Sequence, residues 1–243
     1  MRAYKMLFCL WMMTACGLTA SAAPLCPDTT DLSVWRAGCS VEAEAVALYG
    51  VERCFAASPV PDGVWMRMQG KSYQPNDHIG REDLCYLRVL HWDYDERTHL
   101  GEMVCNKLIA QKLLSIFRQL YEARYPIERM VLPDVYGADD ELQMRDNNTS
   151  CFCYRPVARS AQLSKHAQGL AVDLNPLYNP YYKKSSSGKP FIQPATAEKY
   201  CDRSRAFRYK IDRSDLAYRL FTAHGFKWGG AWRSCKDYQH FEF

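Results

Sequence analysis

The residues best suited to chemistry lie in Ser164-Lys165-His166-Ala167-Gln168-Gly169-Leu170-Ala171-Val172-Asp173-Leu174-Asn175-Pro176. From Leu170 to Leu174 the apolar types alternate, so a strand puts Leu170, Val172 and Leu174 on one face and Ala171, Asp173 and Asn175 on the other. A carboxylate inside such a strand is costly unless it is paired or bound to a cation. His166, just before the strand, can turn back towards Asp173 across Gly169. Imidazole nitrogen and carboxylate oxygen together suit Zn2+, which takes both at about 2 Å. Catalytic zinc keeps three protein ligands and leaves the fourth position to water. Near the C-terminus, Asp237-Tyr238-Gln239-His240-Phe241 offers His240 as the third ligand. A spacing of three puts Asp237 and His240 on opposite faces of a regular strand, so both approach one metal only through a bend. Zinc lowers the pKa of its bound water to about 7, and Asp237 beside it is the expected general base.

Several elements must hold these residues. Between residues 24 and about 98, alternation in Val64-Trp65-Met66-Arg67-Met68 and in Cys85-Tyr86-Leu87-Arg88-Val89-Leu90 predicts short strands joined by loops. From about Glu102 to Arg124 the period becomes helical, with Ile109, Leu113, Phe117 and Leu120 on one face and Pro126 closing the helix. Gly137 to Asn148 reads as an acidic, amide-rich loop. It leads into a β-prone run, Thr149 to Arg155, that puts Cys151, Cys153 and Arg155 on one face. Residues 179 to 199, rich in Pro, Ser and Lys, read as an exposed insertion. Ser214 or Asp212 can cap a helix carrying Leu216, Leu220 and Phe221 and ended by Gly225. Phe226 to Phe243 reads as a terminal hairpin. No internal repeat is present.

Composition sets the class. With 243 residues, 48% hydrophobic and 24% charged, the chain has the length and apolar content for one large core with an N-terminal elaboration. Its formal charge of +4 falls to +2 if Arg2 and Lys5 are removed, too weak a bias to indicate nucleic acid. Those two residues, the apolar run from Met6 to Ala15 and the small residues Ala20-Ser21-Ala22 form the pattern of an export signal. Met13-Thr14-Ala15-Cys16 resembles a bacterial lipobox, which would make Cys16 a lipid anchor. The expected location is therefore the periplasm or cell envelope. Without Cys9 and Cys16, nine cysteines remain, and an oxidising compartment predicts that most are paired, with at least one left over.

Ser-x-His-x-x-Gly-x-Ala-x-Asp, followed downstream by Asp-x-x-His-Phe, resembles the M15 metallopeptidases, the D-alanyl-D-alanine carboxypeptidase and L-alanyl-D-glutamate endopeptidase group. The likeness runs from about Leu84 to Phe243. It takes in Asn147-Asn148-Thr149-Ser150, Phe152, Tyr154-Arg155 and Gly225-Phe226-x-Trp228-Gly229-Gly230. It implies an α+β fold of the Hedgehog/DD-peptidase-like kind, a central antiparallel sheet with flanking helices. It also implies one Zn2+ on His166, Asp173 and His240, and Asp237 as base. Arg155 would bind the substrate carbonyl or carboxylate and stabilise the developing oxyanion, a task that suits a permanently charged guanidinium. Ser164 would line the site and bind substrate. The implied division is a signal peptide over residues 1–22, a cysteine-containing extension over 23–98 and a zinc peptidase domain over 99–243. The implied partner is a peptidoglycan stem peptide. Cys151 and Cys153 depart from the pattern, standing where small or amide residues are expected.

Plainer readings compete. Arg155 can pair with an acid of the 137–148 loop, Ser164 can be only a cap, and His166 or His240 can be structural. Cys151-x-Cys153 suggests a thiolate metal site less readily than a disulfide to a partner elsewhere. The sequons in Asn147–Ser150 read as loop polarity. His224 suits a helix C-terminus. Two other functions use the same residues: a wall-peptide binding module with structural zinc, and a dipeptidase acting on free D-Ala-D-Ala.

Overall fold

The computed structural model describes residues 31–154, 163–185 and 188–243. In chain order its elements are α1 (Ala43–Tyr49), α2 (Val51–Cys54), β1 (Ala56–Pro59), α3 (Asp62–Met68), β2 (Leu84–Trp92), β3 (Thr98–Asn106), α4 (Ala110–Glu122), α5 (Asp140–Arg145), β4 (Ala171–Asp173), β5 (Tyr181–Lys183), β6 (Phe191–Gln193), α6 (Leu216–Ala223), β7 (Lys227–Trp228), β8 (Lys236–Asp237) and β9 (His240–Glu242). The strands form three antiparallel sheets, β1-β2-β3, β4-β9-β7 and β6-β5-β8, in an α+β arrangement. Where one central sheet was expected, the first two sheets are joined by the extended stretch 150–153. Phe152 N donates to Val104 O on β3, and Ser150 exchanges two backbone hydrogen bonds with Asp173 on β4.

The alternation of residues 85–90 does become a strand, but that of Val64–Met68 does not. Val64 and Met68 are four apart and both buried, so α3 puts them on one face against Val60, Tyr73 and Phe152, while Met66 faces solvent. A bidentate bond from Arg67 to the buried Glu102, which also accepts from Tyr86 OH at 2.8 Å, ties α3 to β3. The helix expected from Glu102 starts only at Ala110. Residues 98–106 instead pair with 84–92 in register, and their other edge is satisfied by backbone hydrogen bonds to the extended segments around Cys39, Met130 and Phe152. Two further expectations shift. The 137–148 loop contains α5, capped by Asp139, and α6 is capped by Asp215, whose Oδ1 accepts from Ala217 N and Tyr218 N, rather than by Ser214 or Asp212.

The largest core lies under α4. Leu113, Ile116, Phe117 and Leu120 pack with Leu87 and Val89 of β2, Val172 of β4, Phe221 of α6 and Phe241 of β9. Phe221 stacks on Phe241 at 4.3 Å and meets Phe117 edge-on at 6.3 Å. Burying such rings contributes about 1.5–3 kcal/mol each, so the strands on either side of the site are anchored to one packed unit. This core holds residues from both sides of position 98.

The expectation that most cysteines are paired is corrected. Cys54, Cys85, Cys105, Cys151, Cys153, Cys201 and Cys235 are free thiols, and no disulfide joins two of the described residues. Cys54, Cys105 and Cys151 are fully buried and serve as small apolar side chains of the cores. The export segment and Cys16 lie outside the described residues. Among the described residues no helix is long and apolar enough to cross a membrane.

Candidate metal centre

His166 sits on a tight turn built by its neighbours. Ser164 Oγ accepts from Ala167 N at 3.0 Å, and Gly169 N donates to His166 O at 2.9 Å. Gly169 has φ +67°, and a Cβ there would lie 2.6 Å from Asn106 N, so only glycine lets the turn close onto the end of β3. The turn aims the imidazole at β4, where Asp173 stands directly opposite His240 of β9. Asp173 Oδ1 lies 3.2 Å from His166 Nε2 and 3.0 Å from His240 Nδ1, and the two nitrogens are 3.1 Å apart. One ligand atom from each of the three residues falls within 4.8 Å of the others.

The outer ring nitrogens are also held. His166 Nδ1 lies 2.7 Å from Cys151 O, which makes Nδ1 the protonated nitrogen and leaves the Nε2 lone pair for the cluster. His240 Nε2 lies 3.4 Å from Glu242 Oε2, and Trp232 packs against the His240 ring at 5.2 Å. A carbonyl and a carboxylate behind two imidazoles are the usual outer partners of metal-ligating histidines. The donor set therefore fits a zinc ion. Burial opposes charge on both Asp173 and His240, but His166 and His240 outweigh it for Asp173, and Asp173 and Glu242 outweigh it for His240. The Asp173 carboxyl is held well below the usual carboxylate range, and His240 is raised to about 10.

Asp237 reaches the same cavity by a different route. It ends β8, which pairs with β5 through Tyr181↔Asp237, whereas His240 begins β9. The change of sheet between them is the bend that a spacing of three requires. Asp237 Oδ1 is buried and accepts no hydrogen bond. Burial, and then the charge of Asp173, push the Asp237 carboxyl up to about 7. Gly229 makes room for this strand exchange. A Cβ on it would lie 2.7 Å from Asp237 O and 3.2 Å from His240 Cβ.

The cavity has a volume of about 140 Å³. Beyond the four residues above, Asp140, Gln143 and Met144 of α5 form one wall, and Tyr181 and Gln193 of the β5–β6 hairpin form another. Ala195 N donates to Glu141 Oε1 at 2.8 Å, latching the hairpin's end to α5. The 179–199 insertion, read from its composition as exposed, thus bounds the site. Cys153 lines the cavity as a buried thiol, which corrects the expected disulfide. Asn147 and Asn148 are buried rather than loop polarity. Asn148 brackets Val131 through both backbone groups, and Asn147 accepts from Leu177 N, so the pair holds the stretch before Ser150 in place.

Ser164 caps the His166 turn and is absent from the cavity lining. Trp228 is buried, donating to Tyr238 O at 2.9 Å. Arg155 lies outside the described residues. Sequence reasoning missed Glu242, Gln143, Gln239, Tyr181 and Gln193. Glu242 had a signal, since it stands two residues from His240 on the same strand face. The others depend on a hairpin and a helix docking across the chain.

The family model for D-alanyl-D-alanine carboxypeptidase of peptidase family M15 matches residues 158–243. The matched stretch contains His166, Asp173, Asp237 and His240, while Arg155 and the Asn147–Tyr154 stretch precede it. No curated protein and no solved structure matches the chain.

Proposed function

We propose that this protein is an exported zinc peptidase that hydrolyses peptidoglycan stem peptides, acting as a carboxypeptidase on a terminal D-residue. The observation that carries the reading is the meeting of His166, Asp173 and His240 with a buried carboxylate, Asp237, whose Oδ1 has no hydrogen-bond partner, all on one cavity. A structural metal site has no need of a raised carboxylate beside it, which counts against a pure binding module. Exopeptidase action is favoured by the Ala195–Glu141 latch, which joins two walls of a small cavity. The Hedgehog/DD-peptidase-like architecture, the envelope location and the Cys16 anchor belong to the same proposal.

His166, Asp173 and His240 would hold the zinc. Bound there, zinc lowers the pKa of a water and polarises a carbonyl. Asp237 accepts the proton of the attacking water on Oδ1 and returns it to the leaving amine. Burial and the Asp173 charge raise this carboxyl in the metal-free site, which favours its handing the proton on as an acid. Cys151 O and Glu242 keep the two imidazoles in orientation. The Tyr181 hydroxyl, pushed up to about 12 mainly by burial, stays protonated and can donate to substrate. Arg155 is assigned the substrate carbonyl on the sequence pattern alone.

Incubating zinc-loaded mature protein with muropeptides, resolved by mass spectrometry, tests this beside an Asp237→Ala control that retains zinc. Loss of a terminal residue in the wild type alone supports the reading. No cleavage by either, with zinc bound, refutes it in favour of the binding module.

A further inference from the structure

The cavity wall holds two carboxamides whose hydrogen bonding is incomplete. Gln143 is 4% exposed and Gln239 2% exposed, and the Oε1 atom of each is buried without a donor. Both residues line the cavity that carries the His166, Asp173 and His240 cluster. For Gln239 the orientation of the amide is set by chemistry. Its Nε2 lies 3.6 Å from Met144 Sδ, and a thioether sulfur can accept but not donate, so the NH2 faces the sulfur and Oε1 is left as an open acceptor. Leaving a buried acceptor unpaired forfeits its hydration with nothing in return, so two in one cavity mark a place where a ligand supplies the donors.

Resting on the peptidase reading, we propose that Gln239 and Gln143 are substrate-binding residues that accept hydrogen bonds from backbone N–H groups of the peptide, and above all from the peptide group on the amino side of the scissile bond. The Gln239 side chain hydrogen-bonds the Asp237 carboxyl and shares its cavity, so its carboxamide stands beside the proposed base. Gln143 approaches from α5, the element latched to the β5–β6 hairpin. A peptide held on these acceptors is fixed in register against the metal, and an ester at the same place meets an oxygen with an oxygen. The two residues therefore select amide-linked substrates through contacts at a bond that is not cleaved.

The test compares two synthetic stem peptides, identical except that the peptide group preceding the scissile one is an amide in the first and an ester in the second. Each is given to the zinc-loaded wild type, Gln239→Leu and Gln143→Leu, with zinc content and circular dichroism as controls. Gln239→Met replaces the leucine variant if that one loses zinc or fold. The wild type is expected to prefer the amide by about tenfold or more in kcat/KM, about 1.4 kcal/mol. That preference should fall towards one in the Gln239 variant and decline in the Gln143 variant, mainly through KM. An undiminished amide preference in both folded, zinc-bound variants overturns the inference while leaving the peptidase reading intact. A wild type that cleaves neither peptide overturns both, and the wild-type arm alone reveals it.

Discussion

Replacing Asp237 by Asn isolates the proposed base, because Asn has nearly the same volume and leaves the β5–β8 backbone pairing untouched. A positioned general base contributes about 10²–10⁴ in rate, so kcat should fall by that factor, equivalent to about 3–5 kcal/mol of barrier. Zinc binding should persist, since Asp237 is not one of the three clustered donors. The pH dependence gives an independent sign. The reactive form is the carboxylate, and burial with the Asp173 charge raises it to about 7 without a cation, so activity should rise through an acid limb at or below that pH. A bound dication favours the carboxylate and moves the limb lower.

The same raised value makes an opposite prediction for the metal-free fold. Asp237 binds its proton more tightly folded than unfolded, so its contribution to stability is present below about pH 4 and is lost as pH rises through about 7. Metal-free Asp237→Asn should therefore be more stable than metal-free wild type at pH 8, by up to a few kcal/mol, and not at pH 4. Steady-state hydrolysis of muropeptides from pH 4.5 to 9 (roughly the span that brackets the limb) and urea titrations at the two extremes read both arms. A zinc-bound Asp237→Asn enzyme retaining more than about a tenth of wild-type kcat, with the same acid limb, would refute the assignment.

Other substitutions probe the supports of the site. Glu242→Ala should weaken zinc binding about 10–100-fold in chelator competition, because His240 Nε2 loses its carboxylate partner. Gly229→Ala should damage both zinc uptake and hydrolysis, since its Cβ meets Asp237 O at 2.7 Å, and cost about 1–3 kcal/mol in denaturant unfolding. Phe221→Ala should cost about 3–5 kcal/mol by removing the ring between Phe117 and Phe241, with zinc stoichiometry unchanged in the protein that remains folded. Asp215, raised to about 6 mainly by burial, favours the folded state most at low pH and less as pH rises through about 6. Asp215→Asn, which keeps a capping side chain, should flatten that part of the stability profile.

The meeting of His166, Asp173 and His240 was legible because its geometry is local to two short strands. Period-two alternation put Asp173 on the face opposite Val172, and the Gly169 turn supplied the reversal that brings His166 back. The helix α6 was legible from its apolar spacing, and its cap was missed by one residue because Asp212, Ser214 and Asp215 are all competent caps. Elsewhere pattern misled. Val64–Met68 alternates as a strand does, but burial of Val64 and Met68 is equally a helical pair, and tertiary packing on Phe152 decided between them. Residues 102–106 carry helical spacing continuous with α4, yet pairing with β2 claimed them. The cavity walls were illegible for a different reason. Gln143, Tyr181 and Gln193 come from segments that meet only when the hairpin docks on α5, and no local pattern encodes that meeting.

That division bears on how the site works as a unit. The three clustered donors depend on β4 and β9, whose Val172 and Phe241 are sealed into the main core, so a metal site can form wherever that core folds. Asp237 depends instead on β8 and its pairing with β5, the strand belonging to the 179–199 hairpin. The clustered donors and the Asp237 carboxylate are thus carried by different sheets that meet at one residue spacing, Asp237 to His240, under Gly229. A change in the hairpin can displace the carboxylate and the Tyr181 and Gln193 wall without disturbing the donors. Under the proposed function, zinc content by itself should therefore report on the core, and hydrolysis should follow the hairpin that seats Asp237.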